Sequence, residues 1–187
     1  MNNTSRPYSL NNPDGIYFVT FSVVFWIDVF VRESYKKIFV ESLRFCQKEK
    51  GLNIHAWVIL SNHVHLIISA ENPMRYSLSD ILRDLKKFTA SKIIEAIHLE
   101  SESRKDWMLD KFRFAADKKS RNSRYQFWQQ DNHPEELFSN KFFDQKSEYI
   151  HRNPMKEGWV ELPEYYLYSS AKDYIGQKGL LEVKFLD

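Results

Sequence analysis

Apolar, β-branched and aromatic residues crowd about residues 16–26, IYFVTFSVVFW, directly after the turn signal Asn12-Pro13-Asp14-Gly15. That pattern predicts a strand. The spacing then changes. Tyr35, Ile38, Phe39, Ser42, Leu43 and Cys46 recur at helical intervals, and Gly51 closes the segment, which predicts a helix over residues 32–50. Two more strands follow at about 53–60 and 63–69, joined by Ser61-Asn62, a link short enough for a hairpin. Leu78, Ile81, Leu82, Leu85, Phe88, Thr89 and Ile93 form the stripe of a second helix over 78–97, with Ser77 or Ser79 as its cap. Residues 101–125 show the least regular pattern and read as a long loop. A short strand at about 125–129 is expected to close the sheet. A third helix should start after Asn132-His133-Pro134, with Glu135 and Glu136 in its first turn. It should end at Asn153, because Pro154 disfavours helix in the residue before it. The tail, 159–187, carries mixed signals and one short helix near 169–175.

The order β-α-β-β-α-β followed by a helix predicts an α+β, ferredoxin-like fold. Such a fold has an antiparallel sheet with helices on one face, here with an added C-terminal helix that bears Tyr149. Residues 1–187 read as one domain, with 1–14 a flexible N-terminus and 159–187 a C-terminal extension. The chain length of 187 residues allows one sizeable core.

Composition narrows the function classes. The single Cys46 excludes an intramolecular disulfide and a cysteine zinc site, and it falls on the apolar face of its helix. Only 5 Gly leave no room for a glycine-rich phosphate loop. The N-terminus is polar and turn-rich, unlike a signal peptide, and no apolar run is long enough to span a membrane. A cytoplasmic protein is expected. Net charge is only +2, but residues 101–125 hold eight Lys/Arg against four Asp/Glu. That local excess makes Lys118, Lys119, Arg121 and Arg124 candidates for contacting a phosphate backbone. So does the stripe Arg83, Lys86 and Lys87 on the second helix, unless it is simply a solvated face. The aromatic share of 16% supplies flat surfaces, most of them expected in the core.

Two clusters carry candidate chemistry. His63 and His65 alternate with Val64 on one strand, so both imidazoles share a face. They make half of a divalent metal site, or else two solvent-facing histidines. Tyr149 and Asn153 are i and i+4 and share a helix face if the helix reaches Asn153. A phenol becomes a useful nucleophile when a metal withdraws charge from the phosphorus it attacks, and a carboxamide one turn on can be a third ligand. The competing reading makes Tyr149 one aromatic among 10 Tyr and Asn153 a helix-ending residue.

Together these residues resemble the REP-associated tyrosine transposases and their insertion-sequence relatives, the single-domain HUH enzymes with one catalytic tyrosine. Ala56-Trp57-Val58-Ile59-Leu60-Ser61-Asn62-His63-Val64-His65-Leu66-Ile67 resembles the strand pair that ends in the HUH motif. Asp84-Leu85-Lys86-Lys87-Phe88-Thr89 resembles the family's basic second helix, and Phe127-Trp128-Gln129-Gln130-Asp131-Asn132-His133 the segment before its tyrosine helix. Tyr149-Ile150-His151-Arg152-Asn153-Pro154-Met155-Lys156-Glu157-Gly158-Trp159-Val160 resembles the tyrosine block, and Tyr168-Ser169-Ser170-Ala171-Lys172-Asp173-Tyr174 the tail. The departures are Ser61 for a usual Pro, Lys172 for a usual Arg, and Asn153 where relatives carry Gln. The resemblance implies Tyr149 as nucleophile and His63, His65 and Asn153 as ligands of Mg²⁺ or Mn²⁺. It also implies a DNA transposase-like endonuclease that nicks and rejoins single-stranded or hairpin DNA through a 5′-phosphotyrosine. Its partners would be single-stranded DNA or REP-like hairpins, with a monomer expected over a homodimer. The alternative is a catalytically inactive single-strand-binding module on the same fold. A relaxase or replication initiator would share the chemistry but needs further domains.

Overall fold

The computed structural model describes residues 10–117, 124–130 and 134–186. Its frame is a four-stranded antiparallel sheet in the order β2-β3-β1-β4, built from β1 (Tyr17–Ser22), β2 (Leu52–Ile59), β3 (His63–Ala70) and β4 (Glu135–Glu136). That order is the expected ferredoxin-like one. The helices are α1 (Glu33–Lys50), α2 (Leu78–Leu99), α3 (Lys105–Asp117), α4 (Asn140–Lys156) and the single turn α5 (Ala171–Tyr174).

Side chains alternate across the sheet, so its two faces carry different work. Tyr17, Val19 and Phe21 pair with Ile68, Leu66 and Val64 and point to the face covered by α1 and α2. There Phe21, Phe30, Phe39, Phe127 and Trp128 form an aromatic cluster with ring centroids 4.7–6.5 Å apart. Trp128 satisfies its buried Nε1–H by donating to Thr89 Oγ1, 3.1 Å away on α2. Truncating a ring as buried as Phe39 costs about 3–5 kcal/mol. The opposite face carries Phe18, Thr20 and Ser22 against Ile67, His65 and His63, and α4 lies there. Phe18 and His65 meet Tyr149, and His55 meets Phe143.

Several elements depart from what the pattern predicts. The first strand stops at Ser22 rather than continuing to residue 26. Val24–Trp26 is a 3₁₀ turn in which Phe25 and Trp26 have φ of 56° and 54°. A left-handed conformation costs a non-glycine residue about 1–2 kcal/mol. The stretch read as a long loop holds α3, because Met108, Leu109, Phe112, Ala115 and Ala116 recur at helical spacing and are buried. The dense charges of that stretch hide this stripe. The strand expected at 125–129 contributes only one bridge, Trp128 to Val23, and Glu135–Glu136 takes the edge position beside β1 instead. The third helix begins at Asn140, where Ser139 Oγ accepts from the Phe142 N–H. Glu135 and Glu136, expected in its first turn, are therefore strand residues. The helix also runs past Asn153 and through Pro154 to Lys156, ending where Gly158 turns left-handed at φ 72° and donates to the Met155 carbonyl. Pro154 has no N–H to donate to the Ile150 carbonyl, so the helix continues through it with that one bond missing.

The C-terminal extension covers the outer edge of β2. Ile59 N–H donates to the Tyr168 carbonyl, Ser170 N–H to the Trp57 carbonyl, and Lys184 N–H to the Ile54 carbonyl, at 2.9–3.0 Å. A bare edge strand invites pairing with other chains, and this segment blocks it. His55 sits at the β-bulge of β2 and latches the same segment. Its Nδ1 donates to the Lys184 carbonyl (2.6 Å), which leaves Nε2 to accept from Ser69 Oγ (3.0 Å). No described helix is long and apolar enough to cross a membrane.

Candidate active site

His63 and His65 enter the site from β3, Thr20 and Phe18 from β1, and Tyr149 and Asn153 from α4. The imidazole centroids lie 4.7 Å apart, and His65 lies 5.3 Å from the Tyr149 ring. Phe18 stacks on His65 at 5.3 Å and meets Tyr149 edge-on at 6.1 Å. The strand periodicity and the helix periodicity thus converge on one place, as the separate motifs could not show.

Each histidine is oriented by a second group. Asn62 Nδ2 donates to Asp28 Oδ1 (3.0 Å), which turns the amide oxygen toward His63 Nδ1 at 2.6 Å. An amide oxygen only accepts, so Nδ1 carries the proton and Nε2 keeps a free lone pair. His65 Nδ1 lies 2.8 Å from Thr20 Oγ1, while its Nε2 is buried without a hydrogen-bond partner. Burial, with lesser contributions from His63 and Lys146, pushes the His65 pKa down to about 3, and burial lowers that of His63 as well. Both rings are neutral at physiological pH, the form that binds a metal. An orphaned buried imidazole nitrogen is costly unless something fills its position. Paired histidines whose outer nitrogens are held by neighbours are the usual arrangement of metal ligands. The donor set therefore fits a divalent ion. Among the described residues no three His, Cys, Asp or Glu side chains group closely enough to hold a metal, so a third donor drawn from those residues would be of another type. Asn153 is buried one turn beyond Tyr149, and its Nδ2 donates to the Tyr149 carbonyl at 2.8 Å. Its carboxamide oxygen receives no donor from the described residues.

Tyr149 is 39% exposed, with the Lys156 ammonium 5.0 Å from its ring centroid, two turns along α4. Lys146 stands 4.5 Å over Phe18 and pairs with Glu135 at 2.8 Å. Phe18, Thr20, Trp26 and Lys156 all touch the candidate residues, and single-sequence reading does not find them. A clue exists only for Lys156, which lies i+7 from Tyr149.

The expected basic stripe does not join this cluster. Lys86 lies 5.3 Å over the Phe21 ring, on the opposite face of the sheet, and donates to the Gln129 carbonyl at 2.9 Å. Arg83 is paired with Asp80 and Asp84. With the exposed Lys87 they line a groove of about 580 Å³ beside Tyr125, Trp128 and Gln129. Arg124 lies 5.3 Å over the Tyr125 ring, whereas Lys118, Lys119 and Arg121 fall outside the described residues. Phe127 and Trp128 are core residues, not free surfaces for bases. The groove, an apolar one of about 630 Å³ between α1 and α2, and a cleft of about 500 Å³ behind α4 all exclude His63, His65 and Tyr149.

The four-stranded antiparallel sheet with its helices is the fold of the tyrosine transposases. The family model described as IS200-like transposase matches residues 19–115, more than half of the chain, and the chain belongs to that family. The match includes His63 and His65 and ends before Tyr149. Among solved structures, a REP-associated tyrosine transposase bound to a REP hairpin is similar over 100% of this chain and 94% of its own, with a TM-score of 0.62 and 18% identity. At that identity the likeness is one of fold. No curated protein matches the chain.

Proposed function

We propose that this transposase nicks and rejoins single-stranded or hairpin DNA by transesterification, with Tyr149 as the nucleophile and a 5′-phosphotyrosine as the intermediate. The observation that carries this reading is the unpartnered, buried Nε2 of His65 beside the Tyr149 ring. His63 and His65 would hold Mg²⁺ or Mn²⁺, with the Asn153 carboxamide oxygen as third donor. When bound, such an ion supplies positive charge that draws electron density from the scissile phosphate. The Tyr149 oxygen bonds to phosphorus in line as the P–O3′ bond breaks. The phenolic proton is lost, the departing oxygen gains one, and a 3′-hydroxyl is released. The phosphotyrosine keeps the bond energy, so attack by another 3′-hydroxyl reverses the step without ATP. Lys156 places a fixed cation beside the nucleophile, where phosphate charge accumulates. Lys87 and Arg124 would contact the backbone, as would Lys118, Lys119 and Arg121 by their charge, and Arg83 and Lys86 line the groove beside Lys87.

The test is a labelled hairpin DNA incubated with the protein and Mg²⁺ or Mn²⁺. A covalent protein–DNA adduct is expected, and it should vanish in Tyr149→Phe. An adduct that persists in that variant would refute the role of Tyr149. Salt-sensitive binding with no adduct under either metal would favour a non-catalytic DNA-binding module.

A further inference from the structure

Phe25 and Trp26 are consecutive non-glycine residues in the left-handed region, where side chains as bulky as these are strained. The chain is pinned on both sides of them. Val23 N–H donates to the Asn62 carbonyl and Val24 N–H to the Phe127 carbonyl, both at 2.9 Å, and Val24 and Ile27 are buried. Between these anchors the two aromatic rings turn outward, 48% and 55% exposed. Glycine or asparagine would make the same turn with less strain and less apolar surface in water. The turn by itself does not call for two half-exposed rings, and strained aromatics of this kind point toward function. Their position supplies the function. The Trp26 indole stands edge-on to His63 with centroids 5.7 Å apart, and Phe25 lies 6.1 Å from Phe114.

We propose that Trp26, flanked by Phe25, is a stacking platform for one unpaired nucleobase of the strand that crosses His63, His65 and Tyr149. The inference rests on the single-strand reading above and adds the element that selects unpaired DNA. Bases in a duplex already stack on each other, so the indole face is open only to a base that has left its helix. Every base has a π-face, so the platform tolerates sequence and fixes only the position of the strand beside the site. The short, pinned turn holds the ring in place before DNA arrives, so little order is lost on binding.

The experiment compares two labelled strands of about 20 nucleotides, oligothymidylate and an abasic strand of equal length, binding to wild type, Trp26→Ala and Trp26→Phe. Trp26→Ala should weaken oligothymidylate binding roughly 5–100-fold and leave the abasic strand within about twofold. Trp26→Phe should recover most of the loss. The salt dependence of binding should not change, because no phosphate contact is removed. Trp26→Gly, which relieves the strained φ, should keep or raise Tm while weakening oligothymidylate binding in the same way. Equal loss on both strands, or no loss on either, would overturn the platform, as would a lower Tm in Trp26→Gly. Adduct formation by wild type with Trp26 variants that bind normally would sink the platform alone. Base-dependent binding without any adduct would keep the platform and sink the catalytic reading.

Discussion

His151 projects from α4 away from the active-site face and is buried against the C-terminal extension. Its Nε2 lies 2.8 Å from Ser170 Oγ, and its ring meets Tyr174 at 4.5 Å. Ser170 Oγ in turn accepts the Trp57 N–H at 2.9 Å, so the histidine closes a chain from α4 to β2. Burial pushes its pKa down to about 4. Asp144, Glu148 and Arg152 line the adjoining cleft. In the unfolded chain the same imidazole titrates near about 6.5. The sign follows from proton counts. Between those two values the unfolded state binds more protons, so acid favours unfolding, and above about pH 6.5 the term vanishes. From about pH 7.5 to about pH 5, linkage with these two values gives a loss of about 2 kcal/mol. For a chain of this size that is a fall in Tm of about 4–8 °C. His65 and His55 are also depressed and act in the same direction, so His151→Gln is needed to isolate its share. Glutamine keeps a polar group within reach of Ser170 and does not titrate. Thermal melts at both pH values should show a smaller acid shift for the variant by about the calculated amount. Identical shifts in wild type and His151→Gln would refute the buried neutral histidine.

Three further outcomes follow from the site. Thr20→Val removes the group that orients His65 and should weaken Mn²⁺ binding, followed by the paramagnetic signal of free Mn²⁺, by roughly 10–100-fold. Lys156→Met should slow adduct formation on hairpin DNA by roughly 10–100-fold, with Lys156→Arg recovering most of it, as the charge and not the shape is at stake. Lys87→Ala should weaken single-strand binding on every sequence alike and reduce the slope of log K against log salt by about 0.7.

Much of the architecture was legible because its signals are local. Gly51, the Ser77 cap and the stripe from Leu78 to Ile93 mark α1 and α2 within a residue or two, and Ser61-Asn62 marks the hairpin. The elements that depart from the local pattern depend on distant partners. Residues 23–26 have strand composition, but Val23 and Val24 pair with Asn62 and Phe127, and that geometry forces the turn. Glu135 and Glu136 have helix-starting composition, yet β1 has an edge to fill and they pair with Phe18 and Tyr17. In α3 the apolar stripe is real, but it is short and lies among charges.

By itself, the sequence determined the alternation that sets His63 and His65 on one face and the spacing that sets Tyr149 and Asn153 on another. Those are properties of a strand and a helix and need no partner. Only the tertiary structure decided that the two faces meet. It also decided that Asp28, through Asn62, and Thr20 orient the two rings, that Lys86 turns to the far side of the sheet, and that Trp26 stands strained beside His63. Each of these depends on residues far apart along the chain, whose distances are set by packing and not by local periodicity.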